Sequence, residues 1–130
     1  MKYVRANRLG RVRWGVLDGD VIRTLKWPPY DGAEYYDGKA WKVADCQILA
    51  PCDPGKIVCV GKNYYDHAVE MGEGIPDRPI LFMKTHNCIN DPEGEIHAPD
   101  FVQRLDYEGE LAFVVKKTAS RVKAAEAWEY

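Results

Sequence analysis

The stretch Asp106-Tyr-Glu-Gly-Glu-Leu-Ala-Phe-Val-Val115 joins two closely spaced carboxylates to an apolar run. Because the run 111–115 is rich in β-branched and aromatic residues, it predicts a buried strand. Side chains two residues apart in a strand share a face, so Glu108 and Glu110 are expected to project together. Such a pair repels unless a cation neutralises it, and Mg²⁺ or Ca²⁺ prefers oxygen ligands. By itself, however, a Glu-x-Glu pair is more often a solvated strand edge.

Two upstream segments change how the Glu-x-Glu pair is interpreted. Residues 56–71 read KIVCVGKNYYDHAVEM, and residues 79–84 read PILFMK. With DYEGEL at 106–111, they resemble the fumarylacetoacetate hydrolase family, in the bacterial branch that carries a short N-terminal domain. The family patterns are Gly-x-Asn-Tyr-x-x-His-x-x-Glu, Pro-x-x-Phe-x-Lys and Asp-Tyr-Glu-x-Glu-Leu, and all three occur here in that order. This branch includes 2-hydroxyhepta-2,4-diene-1,7-dioate isomerases and acylpyruvases.

The resemblance implies a set of site residues. His67 and Glu70 lie three apart on a predicted helix, 66–71, so they are expected to share a face. From the residues alone an exposed His–Glu contact is the favoured interpretation, but the resemblance makes the two a catalytic dyad that moves a proton or activates water. In the same way, the resemblance makes Lys84 a catalytic residue that binds or polarises substrate. A surface lysine that pairs with a carboxylate is the alternative for Lys84.

The resemblance also makes Glu108 and Glu110 metal ligands, with Mg²⁺ as the cofactor, or Mn²⁺ or Ca²⁺ in its place. The implied activity is that of a metal-dependent hydrolase, isomerase or decarboxylase. Its small-molecule substrates would be 2-oxo or enol carboxylates, such as the acylpyruvates or hydroxyheptadienedioate of aromatic breakdown. The complete protein would be a homodimer. Thr85-His86-Asn87 departs from the family pattern, which leaves the substrate class open.

The family's third metal ligand lies further along than this sequence extends, so we expect the chain to lack the C-terminal half. A truncated or proteolysed product, one piece of a split enzyme and a decayed gene product all fit that expectation. The hypothesis from another class is an incomplete fragment that serves as a binding or assembly module. These alternatives differ in whether the chain binds a divalent cation through its carboxylates.

The first fifty residues predict an antiparallel meander. Leu9-Gly10 and Asp18-Gly19-Asp20 are turn signals between apolar segments, and the run 27–32 with its prolines and glycine predicts a loop. The fold class is therefore α+β and β-dominated, with a small N-terminal antiparallel β domain at 1–54 and the first part of a mixed-β hydrolase-type domain at 55–130. The predicted strands are 3–8, 11–17, 21–25, 42–50, 57–60, 80–83, 96–99 and 111–115, and a helix is predicted to begin at 123. The strand 80–83 is expected to be buried, and Asp53-Pro54-Gly55 is expected to mark the domain boundary. Residues 91–95 are a predicted turn with solvated acidic side chains, and His97 is expected to be exposed.

Composition excludes several classes of protein. The net charge of −2 argues against a nucleic-acid or anionic-membrane surface. No apolar run approaches the length of a transmembrane helix, and the first residues lack a signal-peptide core, so a cytoplasmic protein is expected. The four cysteines form no Cys-x-x-Cys motif, which argues against a zinc ribbon or a thioredoxin-type site.

Overall fold

Five antiparallel strands, in the order β4-β3-β2-β1-β5, form the larger sheet of the protein. They are seen in a computed structural model that describes residues 1–32, 34–72 and 74–130. The first three predicted strands are confirmed. The strands are β1 (Lys2–Arg8), β2 (Arg11–Asp18), β3 (Val21–Leu25), β4 (Tyr36–Lys42) and β5 (Gln47–Leu49).

The turns explain why the meander folds tightly. Leu9 and Gly10 both have positive φ, 52° and 79°, as a two-residue hairpin turn requires. Gly19 has φ 60° at the next turn. The single strand predicted over 42–50 is wrong, because a 3₁₀ helix at Val43–Asp45 interrupts it. There the Cys46 N–H donates to the Val43 carbonyl at 3.0 Å and closes the 3₁₀ turn, so the backbone leaves the ladder.

One face of the sheet carries the core. Ala6, Ile22 and Trp41 are buried, and partly buried apolar residues surround them. Gly15 allows β2 and β3 to approach closely, because a Cβ there would lie 2.4 Å from Ile22 Cγ2 and 2.8 Å from the Arg23 carbonyl oxygen. Burial of this apolar surface is the main stabilising contribution to the sheet.

The chain forms two compact units, residues 1–52 together with 91–130, and residues 53–90. The second unit contains an antiparallel ribbon of β6 (Ile57–Gly61) and β7 (Ile80–Lys84). Both strands were predicted, but the prediction that β7 is buried is wrong, since all five of its residues are exposed. The division of the sequence at residue 54 stays a prediction.

Helix α1 (Tyr65–Glu70) also lies in the second unit and confirms the predicted helix within a residue. Gly72 follows it with φ 66°, the left-handed conformation expected of a C-terminal glycine cap. A 3₁₀ helix at His86–Cys88 comes after β7.

Two strands predicted in the last forty residues are absent. Segments 96–99 and 111–115 have no regular secondary structure, and Leu111, Phe113 and Val115 are exposed. A strand needs a hydrogen-bonded neighbour, and no described residue forms a ladder with either segment. The chain instead turns back locally, where the Lys116 N–H donates to the Tyr130 carbonyl at 2.7 Å. The helix predicted to begin at residue 123 is a 3₁₀ helix, Ala124–Glu129.

The β-dominated fold class is confirmed. Within the described ranges, no helix is long and apolar enough to cross a membrane.

Candidate functional site

Helix α1 brings His67 and Glu70 together. His67 Nδ1 lies 3.9 Å from Glu70 Oε2, which confirms that the two side chains share a face. Both remain open to solvent, with 42% and 78% of their side-chain surface exposed. The 3.9 Å separation of these two atoms exceeds hydrogen-bond length, so the contact between the two side chains is electrostatic. The catalytic role of the pair stays a prediction.

The end of β7 positions Lys84. Lys84 lies opposite Ile57 of β6 in the ribbon, and its side chain is exposed. It is therefore available to an anionic group, but its catalytic role also stays a prediction.

A second histidine follows Lys84 closely. His86 Nδ1 lies 3.8 Å from Asp53 Oδ1, and the Thr85 hydroxyl donates to the Asn87 side chain. Sequence reasoning singled out His86 but missed Asp53, which it treated only as part of a domain boundary. No signal could have joined them, because they come from segments far apart in sequence.

Glu108 and Glu110 lie in an exposed segment without regular structure. The expectation that a strand start would place both carboxylates on one face is wrong, because that strand is not formed. No group of three or more His, Cys, Asp or Glu side chains that could hold a metal ion occurs in 1–32, 34–72 and 74–130. The described residues therefore do not fit a complete metal site.

Asp91 has a structural role rather than the solvated one expected of the 91–95 loop. One of its carboxylate oxygens accepts the Ala50 N–H at 2.8 Å, and the other accepts the Gln47 side-chain amide at 3.2 Å. The predicted turn is confirmed, since the Gly94 N–H donates to the Asp91 carbonyl at 2.9 Å. His97 is exposed, as predicted, and its Nε2 atom lies 3.5 Å from Glu95 Oε2.

Comparison with protein families settles the origin of the motifs. Residues 56–130 match the fumarylacetoacetate (FAA) hydrolase C-terminal domain. The chain belongs to the fumarylacetoacetate hydrolase family. Residues 1–51 match the Rv2993c-like N-terminal domain. The family resemblance seen in the sequence is thereby confirmed.

Curated relatives match large parts of the chain. Protein Rv2993c of Mycobacterium tuberculosis is 41% identical over 133 residues, covering 92% of this chain and 50% of that protein. Oxaloacetate tautomerase fahd-1, mitochondrial, of Caenorhabditis elegans is 48% identical over 75 residues, covering 58% of this chain and 35% of that protein. The chain thus spans half or less of the length of these relatives.

A solved structure supports the fold. The 5-carboxymethyl-2-hydroxymuconate delta-isomerase of Mycobacterium smegmatis superposes with a TM-score of 0.56 and 29% identity, over 66% of this chain and 33% of the isomerase. A tautomerase and an isomerase are therefore among the proteins similar to this chain. Membership in this family makes it part of an enzyme family.

Proposed function

We propose that this chain supplies proton-transfer groups to an enzyme that tautomerises or isomerises 2-oxo or enol carboxylates. The observation that carries the proposal is the 3.9 Å approach of His67 and Glu70 on α1, within the segment that matches the hydrolase family. The named activities of a tautomerase and an isomerase among its relatives support the same reaction class.

The enol-to-keto conversion removes a proton from the enol oxygen and adds one to the neighbouring carbon, and the reverse reaction moves the proton back, so it requires a group that both accepts and donates a proton. An imidazole can do both near neutral pH, because its ordinary pKa lies close to it. Glu70 stabilises the imidazolium that forms when His67 accepts the proton. The Lys84 ammonium would bind the substrate carboxylate or stabilise the developing enolate oxygen.

We further propose that Glu108 and Glu110 provide part of the ligand set for Mg²⁺ or Mn²⁺. Two carboxylates are only a partial set, so the chain by itself should hold the cation weakly. When bound, a divalent cation would lower the energy of negative charge on the substrate oxygens. The 2-oxo or enol carboxylate substrate is the small-molecule partner in this proposal.

The test is the enol-to-keto conversion of oxaloacetate, followed by the loss of enol absorbance in the presence of Mg²⁺. In a protein that spans the full length of its relatives, the His67→Ala variant should lower turnover roughly 100-fold, as loss of a general base does. The matched control is His97→Ala, because His97 also lies beside a glutamate but in an exposed loop. That variant should leave turnover unchanged. Equal activity of His67→Ala and His97→Ala would remove His67 from the mechanism.

The metal proposal has a separate test. Mn²⁺ binding, measured by electron paramagnetic resonance of the free ion, should weaken severalfold in Glu108→Gln. Glu126→Gln, which removes the same charge from the 3₁₀ helix Ala124–Glu129, should bind as the wild type does. Identical binding by all three proteins would refute Glu108 as a ligand.

A binding or assembly module is the second candidate. It is favoured by the exposed apolar side chains of β7, among which Leu81 and Met83 are 65% and 64% exposed. Exposed apolar surface of this kind marks interaction sites. A protein of the relatives' full length that neither converts oxaloacetate nor binds Mn²⁺ would support the module and contradict the enzyme proposal.

A further inference from the structure

An open cleft of about 750 Å³ lies on the five-stranded sheet, beside the hairpin of β1 and β2. It is of a size that small ligands occupy in proteins. Four cationic side chains, Arg8, Arg11, Arg13 and Lys39, line it together with Trp41. Nothing in the proposed enzyme chemistry uses these residues.

The strand register forces the three arginines together. Arg8 of β1 lies directly opposite Arg11 of β2, and Ala6 lies opposite Arg13. Residues two apart in a strand share a face, so all three arginines project from the same side of the hairpin. Like charges directly opposite one another in a sheet are destabilising. A bound anion would relieve this repulsion.

Carboxylates of the protein neutralise only part of this charge. Asp45 Oδ2 lies 3.6 Å from Arg8 Nη2. Burial opposes ionisation of Asp37, but hydrogen bonds from the Thr24 hydroxyl and the Lys39 N–H, with the nearby charge of Arg13, hold its pKa below the ordinary range. Four cations against two carboxylates leave an excess of positive charge at the cleft.

Residues 1–52 carry a net positive charge, although residues 91–130 of the same compact unit contain five Lys and Arg against nine Asp and Glu, so the positive excess is local to the sheet. Residues 1–52 contain nine Lys and Arg against six Asp and Glu, a net charge of +3 in a chain whose total is −2. Positive charge concentrated around one cleft raises the local concentration of anions. A sequence signal existed, since Arg11-x-Arg13 on a strand places two guanidinium groups on one face.

We infer that this cleft binds a small polyanion bearing phosphate or carboxylate groups. Guanidinium groups present paired N–H donors that match the oxygens of both groups. Because the four cations are spread over three strands, β1, β2 and β4, they favour a ligand with at least two anionic groups. This site is independent of the proposed enzyme chemistry, because its cationic residues belong to the N-terminal sheet.

The experiment titrates the whole chain with pyrophosphate and, separately, with citrate, by isothermal calorimetry at physiological ionic strength. We expect at least one to bind with a Kd below about 1 mM. Nuclear magnetic resonance should show shifts of the Arg11 and Lys39 amides. Tighter pyrophosphate binding would identify a phosphate-bearing ligand, whereas tighter citrate binding would identify a polycarboxylate.

The decisive variant is Arg11→Gln/Lys39→Gln, which should weaken binding by at least about tenfold because two charge-assisted hydrogen bonds are lost. Its matched control is Lys2→Gln/Lys42→Gln, which removes two exposed cations from the same sheet outside the cleft. The control should change affinity less than about twofold. Circular dichroism checks that both variants are folded.

Three results would overturn the inference. They are a Kd above about 1 mM for both anions, equal weakening of binding by the two double variants, and unchanged binding by Arg11→Gln/Lys39→Gln. Because no readout depends on turnover, failure here leaves the enzyme proposal intact. Failure of His67→Ala to lower turnover likewise leaves the anion cleft intact.

Discussion

The five-stranded sheet and the β6–β7 ribbon are built from similar residues but differ in burial. Ile22 on β3 is fully buried, whereas Ile80 on β7 is 45% exposed. The sheet has four strand–strand pairings and a core on one face, while the ribbon has a single pairing. The difference shows that apolar strand sequence alone does not provide stability, because the neighbours that bury it must also be present.

Hydrogen exchange tests this comparison with the largest expected effect. Amides of β2 should exchange at least about 1,000-fold more slowly than amides of β7, because opening the buried sheet approaches global unfolding, whereas an isolated pair of strands is marginal in water. Mass spectrometry of deuterium uptake measures both in one experiment. Similar protection in β2 and β7 would show that the ribbon is stabilised by more than its one pairing.

Matched isoleucine truncations sharpen the contrast. Ile22→Ala should lower the free energy of unfolding by about 2–5 kcal/mol, since it leaves a cavity in the core. Ile80→Ala should cost less than about 1 kcal/mol, because much of that side chain is already in water. Urea unfolding followed by circular dichroism compares them. An equal decrease in the free energy of unfolding for the two variants would contradict the burial of Ile22 and the exposure of Ile80.

The closely packed strands of the sheet provide a test of packing. Gly15→Ala should destabilise the protein by about 1–3 kcal/mol, because the new methyl group would overlap Ile22 and the Arg23 backbone. Gly55→Ala is the control, since a Cβ at Gly55 meets nothing within 4 Å. Thermal unfolding reports both variants. If Gly15→Ala left the melting temperature unchanged, β2 and β3 would be able to move apart without loss of stability.

The smallest expected effect concerns pH and the N-terminal sheet. The pKa of Asp37 is held below its ordinary value of 3.8 despite burial, chiefly by hydrogen bonds from Thr24 and the Lys39 N–H. Its ionised form therefore stabilises the fold above that value, and this contribution is lost as pH falls through the folded-state pKa.

Asp37→Asn should consequently lower the melting temperature at neutral pH, and the difference from wild type should shrink in strong acid. Asp31→Asn, in the loop before β4, serves as a control for the loss of one negative charge. A deficit of Asp37→Asn that is constant from neutral pH to strong acid would show that the carboxylate charge is not responsible.

Much of the local structure followed from short-range patterns. Leu9-Gly10 and Gly19 predicted the hairpins, because few residues tolerate positive φ in tight turns. The spacing of His67 and Glu70 predicted their contact, since a helix places residues three apart on one face. The family motifs could be recognised for the same reason, because each is a short run with polar and charged residues at fixed spacing.

The errors came from features that depend on distant segments. The apolar run 111–115 has the composition of a strand but no ladder partner among the described residues, so it remains irregular and exposed. β7 forms as a strand, as predicted, yet no described residue covers its side chains enough to bury them. Asp53 and His86 meet only because the chain folds back between them.

The sequence by itself thus determined the family, the hairpins of the N-terminal sheet and the pairing of His67 with Glu70. The tertiary structure alone decided which apolar strands are buried, that Asp91 accepts hydrogen bonds from Ala50 and Gln47, and that Arg8, Arg11 and Arg13 gather beside Lys39. The physical reason is the separation along the sequence over which each kind of interaction acts. Turn and helix geometry act over a few residues, whereas burial and charge clustering depend on which strands become neighbours.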